Sequence, residues 1–544
     1  MFWADDIAAR AAAAGQASGS GAPIVVNDSK TPSGTVHVGS LRGPVIHDEI
    51  WRALRRAGHD AVYRYGVDDL DPMDSQALLT PDAVDRYMGV PLAHVPAPAG
   101  SGAASYARHF VGELFLGTFE PLGLHPEVYW MSDVYAAGDM DRFIRAALDG
   151  AETIRTIYRD VSHVDKEPGW LPLSVICTTC GRVGTTIATD WDGDTVAFEC
   201  RPDLVTWATG CGTVGRVSPF GGTAKLPFNV DWAVKWSLFD IALEGCGKDL
   251  ATAGGSRDRS DAISRQVFDR EPPINVPYEF INVGGKRMST SRGTGVPAHE
   301  ITAVMPPDEL RLLFVRHRPN VAFEFDPIQT DAVPRQVDEF DRLAAATAGR
   351  PVRGELPADA DRIFAASLVN AEADVSAEAG VFRPPFAHLA LLVQLPGVDV
   401  EERVAAENGS PLNARERTIL AERTRAVRAW LDTYAPDAAR IEVQHDGVPE
   451  AVSALTDDQR GFLAALMDVV ADLPKEQWTG EALQAAVFAT AKEREIGAGA
   501  GFAALYAAFL GRSSGPRAGW LLASLDRSFV VERLEAAGQS GTSA

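Results

Sequence analysis

Cysteine is scarce in this chain: five residues in 544, four of them confined to positions 177–211. So sparse a set cannot build the disulfide framework of a secreted protein, and its clustering points to a metal held in a reducing compartment. Long apolar runs are lacking as well. None approaches the ~20 residues that span a bilayer. The N-terminus, Met1-Phe-Trp-Ala-Asp-Asp6, has no basic segment ahead of an apolar one, so a cytoplasmic protein without a membrane partner is expected. Positive charge is in deficit, with 51 Lys and Arg against 74 Asp and Glu and a formal net charge of −23. That excludes a uniformly basic nucleic-acid binder and leaves room only for local basic surfaces. Arg52, Arg55 and Arg56, or Arg311, Arg316 and Arg318, are candidates, although solvated helix faces explain each cluster equally well.

What is present begins with length, which provides for about three domains of roughly 100–200 residues each. The organising stretch is Thr31-Pro-Ser-Gly34-Thr-Val-His37-Val-Gly39-Ser40, which the apolar run Pro23-Ile-Val-Val26 precedes. Leu41, Val45, Ile46, Ile50 and Leu54 follow at helical spacing until Gly58, which predicts a helix over about 38–57. A strand, a glycine turn and a helix start aim backbone N–H groups and the positive end of the helix dipole at one point. That arrangement suits a phosphate. Ala61-Val-Tyr-Arg-Tyr-Gly66 supplies a second strand, and the unit reads as the mononucleotide-binding half of a doubly wound parallel sheet. Asp68, Asp69, Asp71 and Asp74 follow at its carboxyl end, where ligands sit in open α/β sheets; a capped acidic loop is the plainer alternative.

Residues 80–170 alternate Pro- and Gly-rich loops with helical stretches near 104–117 and 139–160, as an insertion between two halves of a sheet would. Cys177-Thr-Thr-Cys180-Gly181 is a knuckle that can present two thiolates to one tetrahedral ion, with Cys200 and Cys211 completing the set. Asp192-Gly193 is a hairpin turn between strand-like runs. The ten residues separating Cys200 from Cys211 are more than a standard ribbon carries, and buried unliganded cysteines, Cys246 among them, are the alternative. The sheet is expected to resume at Asn229-Val-Asp231-Trp232-Ala-Val-Lys-Trp236, ahead of a second glycine turn, Gly254-Gly255, whose neighbour Asp258 suits a ribose or base contact. In Gly284-Gly285-Lys286-Arg287-Met288-Ser289-Thr290-Ser291-Arg292-Gly293, two adjacent cations and three hydroxyls can close over a polyphosphate. Beyond residue 300 helical periodicity dominates, with segments near 307–318, 334–348, 412–435, 455–472, 478–493 and 498–510.

Together these two phosphate motifs resemble those of class I aminoacyl-tRNA synthetases, and over essentially its whole length the chain is similar to the class I type of lysyl-tRNA synthetase. Thr31-Pro-Ser-Gly-Thr-Val-His-Val-Gly stands for the HIGH motif and Arg287-Met-Ser-Thr-Ser for KMSKS. Val230-Asp-Trp with Trp236, Gly247-Lys-Asp, Gly254-Gly-Ser and Gly515-Pro-Arg-Ala-Gly belong to the same likeness. The resemblance implies an α/β fold: a Rossmann catalytic domain in two halves (1–80 and 229–300) around an insertion (81–228) whose unit 173–215 holds structural Zn²⁺. A helical connecting region (301–350) and a helical anticodon-binding region (351–544) follow. It implies ATP-dependent formation of lysyl-adenylate, with Mg²⁺, then transfer of the lysyl group to the 2′-hydroxyl of the terminal adenosine of tRNA(Lys).

The same likeness assigns residues. His37, Lys286 and Arg287 are the expected catalytic set. Gly34, Gly39, Ser40, Gly254, Gly255, Asp258, Met288, Ser289 and Ser291 join His37 around ATP. Thr31, Trp232 and Tyr278 are expected to line the lysine pocket, with Asp231 or Glu279 as counter-charge and Lys30 pointing away. Ser40 stands where the second His of HIGH would be, a replacement compatible with this family; the departures are Arg287 and Thr290 in place of the two lysines of KMSKS, with Lys286 just before, and Leu250 where His commonly follows Gly-Lys-Asp. A class I enzyme for another amino acid, or an inactive tRNA-binding paralogue, are the alternative readings.

Overall fold

Strand β1 (Ile24–Lys30) is buried over its first five residues, which is why it reads as a continuous apolar run rather than an alternating one. The computed structural model describes residues 2–18, 21–74, 81–287, 295–395 and 398–539. With β2 (Ala61–Val67), β3 (Glu127–Trp130), β4 (Ile241–Gly247) and β5 (Ile274–Tyr278), β1 forms a five-stranded sheet in the order β5-β4-β1-β2-β3. Every neighbouring pair is parallel. The order runs outward from β1 on one side through β2 and β3 and on the other through β4 and β5. The β1/β4 junction is therefore the switch point, where open α/β sheets leave a crevice at their carboxyl ends.

Helix α1 (Trp3–Ser18) packs on α2 (Arg42–Arg56), and α2 returns the chain from β1 to β2 after a short 3₁₀ turn at Val38–Leu41. The stretch Asn229–Trp236, expected as a strand, is instead part of helix α3 (Phe228–Leu238). Val230, Trp232, Ala233, Val234 and Trp236 are buried together with Asp231 and Lys235, so burial runs all round the helix and leaves no one-sided stripe to mark its period. The strand follows it, as β4. Helix α4 (Ser256–Val267) then leads to β5, and α5 (Pro307–Val315) packs on α2.

The cysteine-bearing insertion opens and closes at one point, where Ser174–Val175 pairs antiparallel with Ala224–Lys225. Between them lies a three-stranded antiparallel sheet of Thr186–Trp191, Val196–Cys200 and Val214–Val217. Asp192 shapes the hairpin, its carboxylate accepting from the N–H groups of Asp194 and Thr195 at 2.9 and 2.8 Å.

The chain divides into two compact units. The first comprises Met1–Thr302, Pro307–Asp326 and Leu343–Glu378, so that residues 343–378 belong to the unit that carries the five-stranded sheet. The second comprises Ala303–Pro306, Pro327–Arg342 and Ala379–Ala544. Its described regular structure is helical, including α6 (Val400–Asn408) and α7 (Ala414–Thr433), the latter started by a capping box between Asn413 and Glu416. Among the described residues no helix is long and apolar enough to cross a membrane.

Candidate active site

At the carboxyl ends of β1, β2, β4 and β5 a cavity of about 380 Å³ opens. Asp28, Ser29 and Lys30 come from β1, Tyr65 from β2, Gly245, Cys246 and Gly247 from β4 and Tyr278 from β5. The turn ahead of α2 closes one end through His37, Gly39 and Ser40. Backbone bonds hold that turn in place: Val38 N–H donates to Val296 O and Ala298 N–H to Val36 O, each at 2.8 Å.

Of the residues singled out in the sequence, Thr31, His37, Gly39, Ser40, Trp232 and Tyr278 line this one cavity. Lys30, expected to point away, also lines it: two positions from Asp28 along a strand, it shares that residue's face. Gly34, Asp231, Glu279, Gly254, Gly255 and Asp258 are not on its wall. Asp258 turns back to accept from Gly254 N–H at 2.8 Å, which shapes the start of α4. Glu279 pairs with Lys248 at 2.5 Å. Met288, Ser289 and Ser291 lie outside the described residues, as do the side chains of Lys286 and Arg287, whose backbone pairs with Asn282 and Val283.

Asp231 lies in a buried chain of polar groups behind the cavity. Thr31 Oγ1 donates to Asp71 Oδ2 at 2.8 Å, and Lys225 Nζ reaches Asp71 Oδ1 at 2.8 Å and Asp231 Oδ2 at 3.8 Å. Tyr135 OH donates to Asp231 Oδ2 at 2.7 Å. Burial works against the Lys225 charge, but Asp71 and Asp231 outweigh it and hold its pKa up at about 12. Asp231 therefore serves to fix Lys225, and through Asp71 the hydroxyl of Thr31.

Four acidic residues lie on the wall: Asp68 and Asp249, which the sequence motifs include, and Asp28 and Glu244, which the sequence did not single out. Asp68 is committed to Lys235 at 2.7 Å. Glu244 accepts from Asn27 Nδ2 at 2.7 Å and from the indoles of Trp232 and Trp236 at 2.8 and 2.6 Å. Asp28 differs, since among the described residues its carboxylate accepts one hydrogen bond, from Ser29 N–H at 2.8 Å. Its other oxygen lies 3.6 Å from His47 Nδ1. That nitrogen donates to Gly43 O at 2.7 Å while Nε2 accepts from Gly245 N–H at 2.8 Å, so the imidazole is neutral. Burial lowers the His47 pKa further and pushes the Asp28 carboxyl up to about 7. Gly43 makes room here: a Cβ on it would stand 2.8 Å from both Asp28 Oδ2 and Tyr278 OH. The sequence signal for Asp28 is a charged residue near the carboxyl end of an otherwise buried strand.

The four cysteines of the insertion converge. Their Sγ atoms all lie within 4.8 Å of one another, with Cys177 to Cys211 at 3.6 Å and Cys180 to Cys200 at 3.7 Å. A tetrahedron of thiolates ~2.3 Å from an ion sets its sulfurs about 3.8 Å apart, so the group can hold a metal. The long Cys200–Cys211 spacing is an excursion whose ends meet. Gly212 N–H donates to Cys200 O and Arg201 N–H to Thr185 O, and Gly210 passes so close that a Cβ would lie 2.3 Å from Arg201 O.

Comparison with known proteins adds the following. The family model described as "tRNA synthetases class I (K)" matches residues 1–369, and one described as "Anticodon binding domain" matches 431–538. The chain is 34% identical to a lysine–tRNA ligase of Archaeoglobus fulgidus, over 93% of this chain and 95% of that protein. It is 31% identical to one of Methanosarcina barkeri, with 93% of each chain covered. A lysine–tRNA ligase of Methanocaldococcus jannaschii shares 29% identity, covering 98% of this chain and 99% of the relative.

Proposed function

Since the chain belongs to the class I tRNA synthetase family of the lysine type, we propose that it is an ATP-dependent lysine–tRNA ligase. In the first step a carboxylate oxygen of lysine attacks the α-phosphorus of ATP. The bond to the bridging oxygen breaks, and pyrophosphate leaves. In the second, the 2′-hydroxyl of the terminal adenosine of tRNA(Lys) attacks the lysyl carbonyl, and AMP leaves with the bonding pair. Both steps need positioning and charge stabilisation rather than a covalent enzyme intermediate.

The observation that carries the lysine assignment is Asp28. A buried carboxylate that, among the described residues, has one hydrogen bond and a neutral imidazole beside it is costly, and an ammonium relieves that cost. In this reading the ε-ammonium sits between Asp28 Oδ2 and Tyr278 OH, against the ring of Tyr65. Thr31 and Trp232 border the lysine stem. Asp231 and Glu279, each already paired with a lysine, are not its counter-charges.

His37, Gly39 and Ser40 face the triphosphate, with the dipole of α2 behind them, and Lys30 adds positive charge on that side. Lys286 and Arg287 would supply positive charge to the leaving pyrophosphate, with Met288, Ser289 and Ser291 beside them, and Mg²⁺ would supply further charge neutralisation there. Cys177, Cys180, Cys200 and Cys211 hold a structural Zn²⁺; four thiols that must stay reduced fit a cytoplasmic setting.

ATP–pyrophosphate exchange measured across the amino acids, with and without tRNA, tests the proposal. Exchange that depends on lysine is expected. Exchange with another amino acid reassigns the substrate, and none under either condition leaves a tRNA-binding protein without activity.

A further inference from the structure

Neither family model covers residues 370–430, yet this segment carries three exposed arginines along one cleft of the second unit. A cleft of about 480 Å³ lies between the first turn of α6 (Val400 and Glu401) and one face of α7. Arg417, Ala421, Thr424, Arg425 and Arg428 recur on that face at helical spacing, and all three guanidiniums are exposed. At 1.5 Å per residue the arginines extend along about 16 Å of the helix. Among the described residues Arg425 and Arg428 have no acidic partner, and Arg417 is bonded only to the carbonyl of Leu412. Arg403 and Arg440, by contrast, are half-buried and each meets an acid, Glu407 at 2.8 Å and Asp437 at 2.9 Å. In a chain of net charge −23, three cations facing one groove against the single carboxylate of Glu401 mark a surface for a polyanion.

We propose that this cleft binds the phosphate backbone of the tRNA, an inference that rests on the ligase reading above. The guanidiniums supply forked donors suited to phosphate oxygens, and the groove carries no exposed aromatic ring on which a base could stack. Its contribution is affinity and orientation rather than sequence discrimination. Glu401 repels the same backbone and limits that affinity.

Full-length wild type, Arg425→Ala/Arg428→Ala and Glu401→Gln are compared for tRNA affinity over a range of salt, with circular dichroism and melting temperature as controls for folding. The double variant is expected to bind tRNA about 10-fold more weakly, with a log–log salt slope shallower by about 2, since each phosphate contact contributes about one unit. Its KM for tRNA in aminoacylation rises and kcat is kept; Glu401→Gln binds more tightly than wild type. A folded double variant with unchanged affinity and slope overturns the proposal. A wild type that binds no tRNA overturns the ligase reading instead, so the two failures are distinguishable.

Discussion

Asp28 and Lys225 show how burial sorts the charged groups around the cavity. Lys225 is clamped by two carboxylates and stays charged at any accessible pH, whereas at Asp28 burial outweighs the Ser29 N–H and the charges of Lys30 and Lys235 and brings its pKa to about 7. In the empty enzyme the carboxyl is therefore partly protonated near neutrality. Lysine, cationic up to a pKa near 10.4, binds the carboxylate form. Affinity for lysine is thus expected to rise as pH increases from about 6 to 8 and to level off above that, the direction set by deprotonation of Asp28. Asp28→Asn removes the charge: KM for lysine should increase about 10- to 100-fold, the worth of a charged hydrogen bond, and the pH slope should vanish. Steady-state exchange kinetics from pH 6 to 8.5 measure both. An unchanged KM and slope remove Asp28 from the ammonium site.

At the scale of elements, the position of α2 decides where the phosphate-facing turn points. Arg42 at its first residue, buried, donates to the carbonyls of Glu279, Arg318 and Val321 at 2.9, 3.0 and 2.7 Å. Further along, Arg311 of α5 meets Asp48 at 2.6 Å and Glu49 at 2.9 Å, with all three side chains out of solvent. Removing one partner of such a network leaves uncompensated buried charge. Arg311→Leu should therefore destabilise the first unit by about 3–5 kcal/mol, seen as a lower melting temperature. A melting temperature within a degree of wild type shows that Arg52, 2.8 Å from Asp48, and Arg56 and Arg362, 2.8 and 2.9 Å from Glu49, satisfy the two carboxylates without it. Arg311 was legible only as one of three arginines close in sequence. Its burial comes from α5 docking on α2, which no local pattern encodes.

For the molecule as a whole, the cysteine unit is an excursion closed by the Ser174–Lys225 ladder and bonded to its surroundings in the first unit, Val183 and Gly184 N–H donating to Gly89 O and the Trp191 indole to Asp149. Metal removal is expected to unfold the insertion and leave the five-stranded sheet standing. Strong chelation, or Cys177→Ser, should abolish bound zinc, measured as metal per chain, and cost an early melting transition while the main one persists; full zinc content in Cys177→Ser rejects the four-thiolate site. The sequence alone determined the strand–turn–helix unit at 24–56, the thiolate set and the helical second unit, because each rests on local geometry: helical period, turn-forming glycines, the Cys-x₂-Cys knuckle. The tertiary structure decided which carboxylates face the cavity. Asp28 and Glu244 reach it, while Asp231 and Glu279 pair with lysines elsewhere, because side-chain direction at the cavity depends on strand register and on partners up to 217 residues away, as Asn27 is from Glu244. It also decided that α3 is a helix, since complete burial erases the amphipathic signal by which a helix is read.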